Sequence, residues 1–316
     1  MKELVQFIDD HTVFAVVSHK EPDGDCVGSS LSLQSLLERL GKRVILLSPG
    51  PFTRFEISRF EHHFHTSVPQ SAEIDGAIIL DCSTPERIGA IASQISHVKK
   101  AVIDHHAAGV PFGDVRCVDP RAPSVTSLIH RLFEQYKLPL TRDEARHLLF
   151  GLCTDTGFFR HLTDDSGTVF NDVARLCNAG ASPHEVYRMM YGNRPLASRV
   201  LLGDLLAGTR AYFGGKLLVT TERQSDLRGS GTEIRDSDTL YLLLQSTAFV
   251  EAVVLIREEE DGKNSVGLRS GESIDVGAIA RSLGGGGHTK AAGFSTDCTV
   301  EEIEKTIFET FSQIFR

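Results

Sequence analysis

The segment His19-Lys20-Glu21-Pro22-Asp23-Gly24-Asp25 brings an imidazole and two carboxylates into one short stretch. An alternating Asp-Gly-Asp lets both acids face the same cavity from a tight loop, with Gly24 relieving the backbone. Carboxylates beside imidazole suit Mn(II), Fe(II) or Co(II) better than Ca(II). No Glu closes a twelve-residue loop, so an EF-hand is excluded. The same acids could simply cap a helix starting near Val27. Asp81 stands alone in Leu80-Asp81-Cys82-Ser83 and reads as a helix cap or a ligand. Asp104-His105-His106 follows the apolar Val102-Ile103, and three ionisable groups there are costly unless something polar or metallic meets them. Asp155, in Thr154-Asp155-Thr156-Gly157, is a fourth cap or ligand. Taken together, these groups could hold two divalent ions with open positions. Paired ions ~3.5–4 Å apart are a common device for phosphoester hydrolysis.

The elements that must position them are legible as apolar runs. Val13–Val17, Lys42–Leu47, Ala77–Leu80 and Lys100–Ile103 read as buried parallel strands. Between them lie helical patterns, Val27–Leu40 stopped by Gly41 and Arg87–Ile95. Strand and helix in alternation predict a parallel sheet with helices on both faces. Polar residues follow each run, which puts His19, Asp81 and Asp104–His106 at the carboxyl ends of strands, where open α/β sheets bind ligands. Ser124–Tyr136 and Thr141–Thr154 read as helices, and Pro195–Gly208 as a connecting helix. Beyond it, Lys216–Thr221, Phe249–Arg257 and Asn264–Arg269 read as strands, and Ile274–Leu283 and Val300–Phe315 as helices. The expected division is a parallel-sheet domain at 1–190, a linker helix at 191–208 and a smaller α/β domain at 209–316.

Composition narrows the function. The 316 residues are 41% hydrophobic and 24% charged, ordinary for globular chains. The longest apolar runs fall far short of the ~18 residues of a spanning helix, and the acidic start does not resemble a signal peptide. A cytoplasmic protein without membrane partners is expected. The net charge of −9 disfavours a grip on long nucleic acid, while a small anionic ligand remains compatible. The six cysteines form no Cys-x-x-Cys pair, so reduced thiols are expected. Cys26, Cys82 and Cys153 read as packing residues at strand ends.

The pattern His-x-x-x-Asp-x-Asp-x-x-Gly-Ser at 19–29, followed by Asp81, Asp-His-His at 104–106 and Asp155, resembles the four motifs of the DHH phosphoesterase superfamily. Gly284-Gly285-Gly286-Gly287-His288 with Ala291-Ala292-Gly293-Phe294 resembles the glycine-rich signature of the DHH-associated C-terminal domain. Length and layout are nearest to the bifunctional oligoribonucleases and pAp phosphatases, with cyclic-dinucleotide phosphodiesterases as relatives. The resemblance implies one manganese on His19, Asp23 and Asp81. It implies a second on Asp25, Asp81, His105 and Asp155, with Asp81 bridging. It makes Asp104 an orienting acid and turns His106 toward the scissile phosphate or the leaving oxygen.

The implied substrates are short oligonucleotides of the pApA type and 3′-phosphoadenosine 5′-phosphate. The alternatives are cyclic di-AMP or a RecJ-like single-strand exonuclease, with a homodimer left open. In the C-terminal half, Arg269, Gly285, Gly286, Gly287 and His288 are the candidate substrate residues. Four glycines could present N–H groups to phosphate or form a flexible connector, and Arg269 could clamp a phosphate bidentately. His62-His63-Phe64-His65 reads as a surface loop, Phe158-Phe159 as core or a base-stacking pair, and Arg194 as a cleft or surface cation.

Overall fold

The computed structural model describes residues 1–271 and 273–315. The chain divides into two compact units, Met1–Asn193 and Arg194–Arg316.

The first unit is built on five parallel strands: β1 (Val13–Val17), β2 (Arg43–Leu47), β3 (Gly76–Leu80), β4 (Lys99–Asp104) and β5 (Val115–Val118). Their spatial order is β2-β1-β3-β4-β5. The chain leaves β1 toward one edge and returns past it to β3, so the topological switch lies between β1 and β3. Ligands of open α/β sheets bind beyond the carboxyl ends at such a switch. Every residue of β1 and β3 is buried, as expected of central parallel strands.

The helices are α1 (Lys2–Asp10), α2 (Gly24–Arg39), the single turns α3 (Phe55–Ser58) and α4 (Ile91–Gln94), then α5 (Val125–Gln135), α6 (Arg142–Asp155), α7 (Gly167–Asn178) and α8 (Pro183–Tyr191). One face of the sheet packs on residues of α1, α2, α5 and α6 in the main core. The other face carries a smaller cluster with Ile88, Ile91 and Ile95. The helix expected over Arg87–Ile95 is in fact a 3₁₀ turn, Pro85–Ile88, and the short α4, separated by Gly89 at φ +55°. Long helices therefore cover one face and short turns much of the other.

Helix starts follow local chemistry. Ser124 caps α5 by accepting from Ser127 N–H, and Thr141 with Glu144 forms a capping box on α6. The α2 helix begins at Gly24, earlier than the expected Val27, because Asp23 accepts from Cys26 N–H as its cap. Close packing of α2 on α6 rests on glycine. A methyl at Gly28 would sit 2.5 Å from the His147 carbonyl oxygen, and one at Gly151 would sit 2.4 Å from a Thr126 methyl.

The second unit holds a six-stranded sheet, β6 (Arg210–Tyr212), β7 (Leu217–Glu222), β8 (Ala252–Glu258), β9 (Asn264–Ser270), β10 (Gly286–His288) and β11 (Ala291–Thr296), in the order β10-β11-β9-β8-β7-β6. Only β7 and β8 run parallel; the other neighbours are antiparallel. Helices α9 (Leu196–Ala207) and α10 (Ser237–Gln245) supply one apolar cluster, and α11 (Val276–Ser282) and α12 (Val300–Ile314) the other. The stretch read as a linker, 191–208, is thus mostly a packed helix, with Leu201, Leu202 and Leu205 buried. The glycine run is not a free connector: Gly286–His288 is an edge strand, and methyls at Gly285 or Gly287 would collide with β11.

Candidate metal centre

Four loops at the carboxyl end of the first sheet converge on one carboxylate. Asp81 leaves β3 with φ +55°, a conformation uncommon for a non-glycine residue, and is 2% exposed. It caps no helix, since Thr84 precedes the following turn. Its Oδ2 lies 3.5 Å from His19 Nε2, and its Oδ1 lies 3.6 Å from both His105 Nε2 and His106 Nδ1. Oδ1 is buried and has no hydrogen-bond partner. A buried carboxylate facing three imidazoles, with one oxygen orphaned between two of them, is the arrangement a bound cation would complete.

The imidazoles are oriented from behind. His105 Nδ1 lies 3.1 Å from the Ala122 carbonyl, which can only accept, so Nε2 turns toward Asp81 and toward Asp155 Oδ2 at 3.0 Å. His19 Nδ1 lies 2.7 Å from the Lys20 carbonyl and 2.8 Å from Arg87 Nη2, leaving Nε2 toward Asp81. Asp104 accepts from the N–H groups of His105 and His106 and from His106 Nδ1 at 2.7 Å, so it is spent on posture. That leaves His106 Nε2 unengaged on a half-buried ring.

Asp25 is fully buried and held by the amino end of α5, accepting from the N–H groups of Val125 and Thr126 and from the Thr126 hydroxyl. Favourable dipole and charge-assisted bonds fix it there. Three groups of ligand-type atoms lie mutually within 4.8 Å: His19, Cys26 and Asp81; Asp81, His105 and His106; Asp25, His105 and Asp155. Asp81 belongs to two of them and His105 to two. Asp23 is in none of the three and is engaged as a helix cap, though it lines the same cavity.

The electrostatics of the cluster favour added positive charge. Burial raises Asp25 well above the carboxylate range, and Asp155, Asp81 and Asp23 push it further. Burial likewise raises Asp155. Burial alone would lower His19, but the Cys26 sulfur and the carboxylates of Asp81 and Asp23 outweigh it and carry the ring up to about 12. His105 goes to about 10, Asp155 overcoming its desolvation. Imidazoles and carboxylates with an orphaned oxygen among them fit divalent metal.

A cavity of about 370 Å³ opens over the cluster, lined by His19, Asp23, Asp81, His106 and Asp155 together with Thr53, Arg54 and Arg87. The two arginines were not anticipated from sequence. Arg87 sits in the segment read as an ordinary helix, and Arg54 in an unassigned loop. Arg87 Nε is buried without a partner.

In the second unit, Arg269, Ala291 and His288 stand opposite one another across β9, β11 and β10. Cross-strand partners share a face, so Arg269 and His288 project to the same side of that sheet. The Arg269 guanidinium stacks 4.4 Å from the Tyr241 ring centroid and donates to the Leu268 carbonyl. Arg194 is paired with Asp236 at 3.7 Å. His62 and His63 lie in an exposed 3₁₀ turn, and Phe158 and Phe159 pack against the main core. All six cysteines are free; Cys26, Cys82 and Cys153 are buried, Cys26 among the ligand-type groups.

Residues 13–152 match the DHH family, N-terminal domain, and residues 214–316 match the DHHA1 domain. The bifunctional oligoribonuclease and PAP phosphatase NrnA of Thermus thermophilus is 31% identical over 280 residues, covering 88% of this chain and 82% of that protein. Its Bacillus subtilis namesake is 27% identical, covering 93% and 92%. Among solved structures, an exopolyphosphatase-related protein from Bacteroides fragilis aligns with a TM-score of 0.85 at 21% identity, over 99% of this chain and 96% of that one. No helix among the described residues is long and apolar enough to cross a membrane.

Proposed function

The chain belongs to the DHH family, and from that premise we propose that it is a two-metal phosphoesterase of short nucleotides. Its substrates would be oligoribonucleotides of the pApA type and 3′-phosphoadenosine 5′-phosphate. The observation that carries the reading is Asp81, whose unpartnered buried oxygen faces His105 and His106 while its other oxygen faces His19. His19, Asp23 and Asp81 would hold one ion, and Asp25, Asp81, His105 and Asp155 the other, manganese being the best match to this donor set. Bound ions supply activation of water and offset charge developing on the phosphate.

The chain's own residues do the rest. Arg87 and Arg54 face the cavity as guanidiniums able to take non-bridging phosphate oxygens. His106, held through Nδ1 by Asp104, presents Nε2 to the leaving oxygen and can donate a proton there. Asp104 raises the His106 pKa above its ordinary 6.5, which favours the donor form. Arg269 and His288, with Gly285 and Gly287 setting the close approach of the edge hairpin and Gly286 open beside them, serve substrate binding.

The test is a turnover panel of pApA, longer oligoribonucleotides, 3′-phosphoadenosine 5′-phosphate and cyclic di-AMP, run with Mn(II) and after chelation. Fast pApA turnover that chelation abolishes and Mn(II) restores is expected. Preference for the cyclic dinucleotide would shift the assignment to ring-opening, and activity surviving exhaustive chelation would refute the two-metal reading.

A further inference from the structure

A second cavity, of about 340 Å³, lies beside the metal centre with His106 as a shared wall. It follows from the uneven cover of the first sheet. Val102 on β4 pairs with Arg116 on β5, and Asp104 with Val118, so Arg116 and Val118 share one face of the outer strand. The loop from His106 to Phe112 lines the cavity against that face. The loop is pinned rather than draped: Val110 N–H donates to the Ser83 carbonyl at 3.0 Å. Gly109 comes so close that a methyl there would lie 2.3 Å from the same oxygen.

The lining combines apolar surfaces, Ala108, Val110, Phe112 and Pro120, with the Arg116 guanidinium. Val110 is 61% exposed and presents its side chain at the cavity rim. Among the described residues Arg116 forms no ion pair. Flat apolar walls, an aromatic ring and a cation beside a phosphate site are the chemistry that takes a nucleobase and its ribose.

We propose that this cavity is a nucleoside subsite, receiving the nucleotide on the leaving-oxygen side of the scissile phosphate. The inference rests on the dinucleotide reading above. In the step itself, water adds its oxygen to phosphorus and gives up a proton to solvent, and the bond from phosphorus to the 3′-oxygen of the leaving nucleotide breaks. His106 protonates that oxygen at the mouth of the cavity where the product nucleotide lies, and regains its proton from solvent.

The experiment compares kcat/KM for pApA with that for the methyl ester of adenosine 5′-monophosphate, followed as AMP formation, so that methanol replaces the leaving nucleotide. Ala108→Phe fills the cavity from an exposed loop position, and Arg116→Ala removes the cation from an exposed strand position. Each should lower pApA turnover by about tenfold, the size of one lost stacking contact, and the methyl ester far less. Equal losses on both substrates would make the cavity a support of the metal centre, and no loss on either would remove it from the substrate path; both outcomes overturn the proposal. Wild-type protein that cleaves the methyl ester but ignores pApA would instead refute the dinucleotide reading beneath it.

Discussion

Asp81 has two carboxylate oxygens and three imidazoles to serve, and nothing else within reach to satisfy Oδ1. Asp81→Ala should therefore remove essentially all turnover and sharply lower bound Mn(II), with the fold intact by circular dichroism. Substantial activity in a folded, metal-poor variant would sink the bridging role. The same residues predict how pH acts on the metal-free protein. His19 and His105 have folded values near 12 and 10 against an ordinary 6.5. Groups raised in this way stabilise fully below 6.5, and the contribution is lost as pH rises through the folded values. Asp25, raised by burial, acts in the same direction, because its charge is tolerated worse when folded. Metal-free protein should thus melt progressively lower from pH 6.5 toward 10. Added Mn(II) should restore more stability at pH 9 than at pH 6.5, because the ion replaces protons. A melting temperature of the metal-free form that rises over this range would contradict the assignment. His19, Asp81 and His105 stand out in the sequence as candidates because each follows an apolar strand run, whereas Asp25 and Asp155 belong to helices. Arg87 and Arg54 do not stand out, since nothing in their spacing says that they turn into the same cavity.

At the scale of elements, the site depends on how closely α2 approaches α6, because Asp25 rides on one and Asp155 ends the other. Gly28 stands one turn after Asp25, and a methyl there would press on the His147 carbonyl at 2.5 Å. Gly28→Ala should cost ~1–3 kcal/mol of stability through overpacking and reduce activity further by moving Asp25 relative to Asp155. Gly203→Ala is the control. It lies within α9 with open space around its Cβ position, and should be neutral or stabilising by ~1 kcal/mol. Thermal melting and turnover of both variants check this; a Gly28 variant indistinguishable from wild type would show that the helices can part freely. The main strands and the long helices were legible because periodicity and caps agreed. The Arg87–Ile95 helix was not, since its apolar spacing is helical but Gly89 takes a positive φ that breaks it. The glycine run was read as a loop because glycine carries no strand signal. The tertiary approach of β10 to β11 explains the missing side chains at Gly285 and Gly287.

At the scale of the whole molecule, the division expected at 191–208 rests on a change of texture, parallel strands with polar ends giving way to a second set of strands and helices. What sequence could not supply was the state of Arg269. It is pre-oriented, stacked on Tyr241 and tied to the Leu268 carbonyl, with other donors of its fork left for a ligand. In the proposed reading the residues of the metal centre would meet the phosphate that is cut and carry no group for a second phosphate farther along the substrate. Arg269 and His288, on one face of the second sheet, can supply such groups. Arg269→Ala should accordingly lower kcat/KM for pApA by the ~1.5–3 kcal/mol of a charged hydrogen-bonded contact, with much less effect on a minimal chromogenic phosphodiester. Arg269→Lys keeps the charge without the planar fork and should recover only part of the loss. Measuring both substrates in all three proteins separates the cases. Equal losses would assign Arg269 to the packing of Tyr241, whereas loss confined to the nucleotide, partly rescued by lysine, is the outcome expected of a residue that binds phosphate.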